Sequence, residues 1–192
     1  MNWDSRTGLL IERSAIGVAS LILSVGAIAL LSGYFAGNDT AGISGNATGP
    51  GTAYRDLGDQ ILPAGQLVPA YDSTPPTSGP HVSEPVQHDG AVLNNNQLLT
   101  ALSLGNVVIA YGGPAPPAGL QSLANSIAGP FTPSLATDGL AVILAREPGV
   151  KGLIGLAWTR MVTVSSVRDP LLSEFARFWL GKGAPKRSLP AS

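Results

Sequence analysis

The chain has 192 residues, of which 44% are hydrophobic and 12% charged, with a net charge of -1 and no cysteine. So small a net charge gives no global attraction for nucleic acid, and the lack of cysteine excludes disulfides, thiolate metal sites and thiol redox chemistry. The 24 glycines and 16 prolines favour short elements joined by many turns over a helical bundle.

The charges are unevenly distributed along the chain. Residues 39–138 carry seven acidic residues and one basic residue, whereas residues 139–192 carry eight basic and three acidic residues. Either the two halves pair within one domain, or the domain has an acidic and a basic face that dock on oppositely charged neighbours. The sequence leaves both interpretations open.

A short head, residues 1–14, precedes an apolar segment. Residues 15–35 contain no charge and no proline, and a helix of that length covers ~31 Å, about the thickness of a bilayer's hydrocarbon core. Residues 15–36 are therefore predicted to form a single transmembrane helix. The aromatic and basic residues of the head predict a cytoplasmic N-terminus and a periplasmic or extracellular C-terminal domain. The alternative is a cleaved signal peptide.

Small residues in and just after this segment are spaced by four. Such spacing lets a second helix approach closely, because packing drives helix association in lipid. It predicts contact with integral membrane protein subunits, against the alternative of a plain anchor surrounded by the lipid bilayer. The residues are Ser20, Ser24, Ala29, Gly33 and Gly37.

The rest of the chain divides by composition. Residues 37–52 are rich in Gly, Asn, Thr and Ala and predict a flexible linker. Residues 53–187 predict an extracytoplasmic α/β domain, and residues 188–192 a short tail.

Hydrophobic spacing within the domain alternates between helix and strand periods. The order predicts an α+β fold, with a possible thioredoxin-like α/β core whose first strand is supplied by Tyr71 or by residues 91–93. Asn94 and Asp169 are the expected helix N-caps. Predicted helices run from Asn94 to Gly105, over 120–128 and from Asp169 to Gly181, and predicted strands cover 107–111, 140–145 and 154–164.

The stretch from Tyr71 to His81 is stiff. Pro75 and Pro76 fix backbone torsions, and Gly79-Pro80 adds a second sharp turn. The loop therefore presents His81 in a defined place. Ser78 lies close to His81 in sequence, but no G-x-S-x-G elbow accompanies the pair.

These residues resemble a known family. The motif PPTSGPH at Pro75–His81, the GxVVIxY pattern that ends at Tyr111, and an Ala-Trp strand followed by a final helix near GKGAP are similar to the bacterial domain-of-unknown-function family 3105. The resemblance covers residues 71–185. It implies a single-pass or secreted protein, and the family as a whole has no assigned activity.

The chain departs from the family at one motif. The family pattern H-x-L-E-H-G aligns with residues 100–105, where both histidines and the glutamate are replaced, by Thr100, Leu104 and Ser103. In the family those three positions and the PPTSGPH histidine look like a metal site. Here the remaining weak metal candidates are His81, His88 and Asp89, with Asp72 also nearby, and no cofactor is expected.

Three functions follow from these features. The predicted one is a non-catalytic accessory subunit of a larger bacterial membrane complex, respiratory or photosynthetic, with its domain docked on the outer face. It has no catalytic residue, no nucleic acid partner and no small-molecule substrate. The alternatives are a periplasmic metal-binding or metal-delivery protein and a membrane-anchored hydrolase, for which Asp56 and Asp59 are a possible carboxylate pair.

Overall fold

The structure is a computed structural model that describes residues 48–68 and 70–185. The predicted head, the transmembrane segment and its small-residue pattern, most of the linker and the tail lie outside these residues. Within the described part of the chain, no helix has both the length and the apolarity needed to cross a bilayer.

The domain is a mixed α+β structure built on a five-stranded sheet, in which the strands are ordered β1-β5-β4-β2-β3. Only β2 and β3 are parallel, with Val107 opposite Val142, and the other neighbours are antiparallel. The strands are β1 Thr52–Ala53, β2 Val107–Tyr111, β3 Val142–Arg146, β4 Leu153–Ala157 and β5 Arg160–Val164.

Four helices pack on the sheet, and their ends follow local signals. Asn94 accepts a hydrogen bond from Gln97 N in a capping box, Asp169 accepts one from Leu171 N, and Gly105 ends its helix with φ +114°. The three predicted helices are confirmed. The helices are α1 Asn95–Leu104, α2 Leu120–Ala128, α3 Pro133–Thr137 and α4 Pro170–Trp179.

The sheet separates two hydrophobic layers because successive side chains of a strand point to opposite faces. On one face β2 packs against α2 and α4. On the other it packs against α1, α3 and the long irregular segment that precedes α1. The strand predicted over 107–111 is confirmed as β2, all five residues of which are buried.

One predicted strand is wrong. Residues 154–164 form two antiparallel strands, β4 and β5, with Trp158 and Thr159 as the turn between them. Thr159 adopts φ +59°, which an uninterrupted strand excludes. The strand predicted over 140–145 begins two residues later, at Val142, and Leu140 is 48% exposed.

The free edge of β3 is covered by residues 89–91. Gly90 N donates to Leu144 O at 2.9 Å, and Arg146 N donates to Ala91 O at 2.8 Å. The two segments therefore run in the same direction, which blunts an edge that could pair with another chain. Tyr71, the other expected source of a first strand, instead donates its hydroxyl to Pro80 O at 3.2 Å.

Candidate functional site

His81 is fully buried at the end of the proline-rich loop. Its backbone N donates to Gln60 O at 3.0 Å and its carbonyl accepts from Leu62 N at 2.8 Å. Its ring Nδ1 lies 2.9 Å from Gly79 O. A carbonyl oxygen can only accept, so Nδ1 carries the proton, and in the neutral ring Nε2 is an acceptor. That Nε2 is buried and has no protein hydrogen-bond partner.

The hydroxyl of Ser78 bonds to another segment of backbone. Ser78 Oγ donates to Arg55 O at 3.0 Å and accepts from Leu57 N at 3.1 Å. His81 Nδ1 bonds within its own loop, to Gly79. The structure therefore does not join Ser78 and His81 by a hydrogen bond, which is the contact that a serine nucleophile and its base require.

Thr77, also fully buried, links the loop to the β4–β5 turn. Its backbone N donates to Ser73 Oγ at 3.1 Å, and its carbonyl accepts from Thr159 N at 2.9 Å. Trp158, in the same turn, is 2% exposed, and its Nε1 has no protein acceptor. The motif thus holds together three stretches of chain: residues 55–62, residues 73–81 and the hairpin turn.

The α1 positions that replace the family's H-x-L-E-H-G motif lie in two different environments. Thr100 is buried: its Oγ1 accepts from Glu84 N at 3.0 Å and donates to Val82 O at 3.5 Å. It thereby fixes the segment just after His81 on α1. Leu104 is 46% exposed and borders a cavity of about 10 Å³, roughly the room of one water molecule. Ser103 donates its hydroxyl to Thr100 O.

The other weak metal candidates, His88 and Asp89, lie at the start of the segment that covers the free edge of β3. His88 is exposed. Asp89 Oδ1 accepts from Leu144 N at 2.7 Å, and its Oδ2 accepts from Gln121 Nε2 at 3.1 Å. Asp89 therefore holds the edge segment against β3 and α2. Across residues 48–68 and 70–185, no three histidine or acidic side chains come close enough to hold a metal ion together.

Two of the remaining carboxylates considered from the sequence accept hydrogen bonds from backbone N–H groups. Asp72 Oδ2 accepts from Arg55 N at 3.2 Å, and Asp56 Oδ1 accepts from Gly58 N at 2.9 Å. Asp56 and Asp59 both line an open groove that Pro185 also borders. The groove is open to solvent and does not enclose a binding site.

A family profile described as "Protein of unknown function (DUF3105)" matches residues 66–191, about two thirds of the chain. The chain belongs to this family. No curated protein and no solved structure gives a significant match. The DUF3105 match takes in the described domain from just before the proline-rich loop onward.

A polar group that the sequence did not reveal lies at the end of the sheet where β2 and β3 finish. Tyr111 and Arg146 are partners in the parallel ladder, and Tyr111 donates its hydroxyl to Gly90 O at 3.3 Å. Burial raises the pKa of Tyr111, Asp89 adds to that effect, and Arg146 opposes it. The Nε of Arg146 is buried with no acceptor. The signal that could have found this group was two polar residues that end two buried parallel strands.

Proposed function

We propose that this DUF3105 protein is a non-catalytic accessory subunit of a bacterial membrane complex, in a respiratory or photosynthetic assembly. It is held by one N-terminal transmembrane helix, with the domain docked on the outer face. The observation that carries the proposal is the use of the PPTSGPH motif. The polar groups of Thr77, Ser78 and His81 bind their own loop and the backbone of neighbouring segments, so the motif serves as a scaffold for a stable surface.

The anchor is supported by the sequence alone. Residues 15–35 have the length and apolarity of a membrane span. Small residues at every fourth position, Ala29, Gly33 and Gly37, fit a helix that packs on another helix. A partner within the membrane and a docked domain outside it would be two contacts on one chain, and linked contacts raise avidity without any new interaction.

Affinity purification of the full chain from mild detergent tests this function. We expect it to co-migrate with integral membrane subunits on a native gel. Ala29→Ile with Gly33→Ile should abolish co-migration but leave the chain in the membrane, because bulk at these positions keeps helices apart. The matched control is Leu30→Ile with Leu31→Ile, which keeps the bulk of the helix and leaves all five small residues unchanged. A chain that migrates alone before any substitution would contradict the proposal.

One observation favours metal binding as a second candidate. His81 Nε2 is buried without a protein partner, and a deprotonated imidazole nitrogen is a common metal ligand. Elemental analysis of the purified full chain separates the candidates. Stoichiometric metal that is lost in His81→Asn would favour delivery or storage of an ion, whereas an accessory subunit needs no bound metal.

The strand arrangement supports a thioredoxin-like core as the finer fold assignment. Strand order β3-β2-β4-β5, with β2 and β3 parallel, a helical connection between them and a final helix, is the order expected of such a core. The edge segment at residues 89–91 lies where its first strand would be. The assignment carries no function, because unrelated activities share this fold.

A further inference from the structure

The two edges of the sheet end differently. Residues 89–91 run along the outer side of β3 and hydrogen-bond to it. At the other edge, β1 has two residues and pairs with Arg160 and Met161 of β5. From Val162 onward, no strand of the described chain pairs with the outer side of β5. This part of β5 is therefore an open edge.

Pro50 explains why β1 stops where it does. The register that places Thr52 opposite Met161 would place Pro50 opposite Thr163. Proline has no N–H to donate, and the carbonyl of Pro50 accepts from Trp179 Nε1 at 2.8 Å instead. The chain therefore turns away toward α4, and β1 does not extend to Thr163.

The backbone N–H and C=O of Thr163 face this open edge. In an antiparallel pair, the backbone groups of alternate residues face the partner strand. Val164 O faces β4, because a Cβ on Gly152 would overlap it. Thr159 O faces the other way and accepts from Tyr54 N at 2.9 Å. Thr163 alternates with Val164, so its backbone groups face outward, where the described chain offers them no partner.

A groove of about 340 Å³ runs along the same edge and is open to solvent. Leu171 of α4, which is 37% exposed, lies on one side of it, and Tyr54 lies on the other. The groove therefore suits an uncharged segment that turns an aliphatic side chain toward Leu171. None of the lining residues is charged, and they are Gly51, Thr52, Tyr54, Met161, Val162, Thr163 and Leu171.

We infer that an extended, uncharged segment of a partner subunit adds to this edge as a sixth, antiparallel strand beside β5. The inference rests on the proposed function, for which it names the docking surface. A residue of the added strand that lies opposite Thr163 would exchange two backbone hydrogen bonds with it. Its two neighbours would point to the α4 side of the sheet, where aliphatic side chains would cover the exposed part of Leu171.

A second copy of the chain fits this edge less well. Two β5 strands whose Thr163 residues faced each other would bring Ser165 of one copy against Met161 of the other, a place that Thr52 already holds. A pairing centred on Val164 would need Ser165 to continue the strand, but β5 ends at Val164. The open edge is therefore better matched to a strand from a different protein.

Hydrogen–deuterium exchange of the full chain, alone in mild detergent and in the purified complex, tests this inference. The N–H groups of Val162 and Val164 face β4, so they serve as internal controls and should exchange slowly in both samples. The N–H of Thr163 should exchange fast in the chain alone. In the complex it should exchange at least about tenfold more slowly, because it gains a hydrogen bond in a strand ladder.

Cross-linking identifies what lies at the edge. The chain has no cysteine, so a photoreactive cross-linker can be attached to Thr163→Cys alone. We expect it to join an uncharged segment of a co-purified subunit. Gln87→Cys, at an exposed position elsewhere, is the matched control and should not join that segment.

The outcomes separate this inference from the proposed function. A chain that migrates alone removes the proposed function and the partner strand with it. A complex in which Thr163 exchanges as fast as in the chain alone overturns the edge docking only. Slow exchange at Thr163 in the chain alone also overturns it, because a segment of the same chain would then cover the edge. A cross-link to a second copy would assign the edge to self-association and overturn it as well.

Discussion

Thr159 N donates a hydrogen bond to Thr77 O at 2.9 Å, which joins the β4–β5 turn to the PPTSGPH loop. Thr159 O in turn accepts from Tyr54 N at 2.9 Å. Among the described residues, Thr159 is the one non-glycine with positive φ, at +59°. A β-branched residue is disfavoured there by sterics, so these two contacts hold the turn in a conformation that its own sequence does not prefer.

Thr159→Asn should stabilise the domain by ~0.5–1 kcal/mol, because asparagine tolerates the left-handed region that threonine resists. Both backbone hydrogen bonds survive the change. Urea unfolding of the purified protein measures the effect. The control is Thr163→Asn at an exposed β5 position, where asparagine is the poorer strand former and should destabilise. If both variants lost a similar amount of stability, the interpretation that Thr159 is strained would be wrong.

This turn also explains where sequence reasoning failed. Two-residue hairpin turns are recognised by Asn-Gly or similar pairs, and Trp158-Thr159 gives no such signal. The turn is fixed by Thr77 and Tyr54, which lie about a hundred residues away along the chain. In contrast, helix α1 was predictable because Asn94 and Gly105 are local signals at its two ends.

Gly139 and Gly149 offer a matched pair, since both have positive φ, +74° and +97°. A Cβ on Gly139 would overlap Leu104 O, whereas a Cβ on Gly149 meets nothing within 4 Å. Gly149→Ala should cost about 1 kcal/mol in free energy of unfolding from the backbone conformation alone. Gly139→Ala should cost more than ~3 kcal/mol because the α1 end must also move. Urea unfolding midpoints compare the two, and equal losses would show that Gly139 is not tightly packed.

His81→Ala should destabilise the domain by ~2–4 kcal/mol, because it leaves a cavity and removes the donor to Gly79 O. His81→Asn should recover part of the loss, since an amide NH₂ replaces Nδ1 as donor. The control is His88→Ala at an exposed site, expected within ~0.5 kcal/mol of the parent. The thermal unfolding midpoints of the three variants, compared with that of the parent, measure these changes in stability. An unchanged midpoint for His81→Ala would remove the scaffold interpretation of the motif.

The site was predictable only in part. The prolines around His81 are visible in the sequence and indicate a stiff loop. Its partners are not, because Arg55, Leu57 and Gln60 belong to a segment with no helix or strand period. The role of Asp89 could not be predicted from the sequence either, because its bonds to Leu144 and Gln121 depend on how β3 and α2 pack.

Arg146→Met should leave stability unchanged or raise it by up to about 1 kcal/mol. The Nε of Arg146 is buried without an acceptor, and an unpaired buried polar group costs free energy that methionine avoids. Its backbone N–H keeps the bond to Ala91 O. Urea unfolding compares the stability of this variant with that of Lys151→Met, a substitution at an exposed loop position. A loss above ~1 kcal/mol at 146 alone would show that the guanidinium has a stabilising partner.

Tyr111 should make the domain lose stability at alkaline pH. Burial raises the pKa of its hydroxyl, Asp89 raises it further and Arg146 partly opposes them, so the folded state keeps the proton that the unfolded state releases above about pH 10. Stability is therefore complete below that pH and falls as pH rises through the pKa of the folded state. Tyr111→Phe should lower the free energy of unfolding slightly at every pH, because the bond to Gly90 O is lost. Apart from that constant loss, urea unfolding should show a smaller decrease in stability between pH 8 and pH 11 for the variant than for the parent. Burial also raises the pKa of Tyr71, so Tyr71→Phe with Tyr111→Phe should flatten it further, and an unchanged slope in the double variant would show that neither hydroxyl resists ionisation.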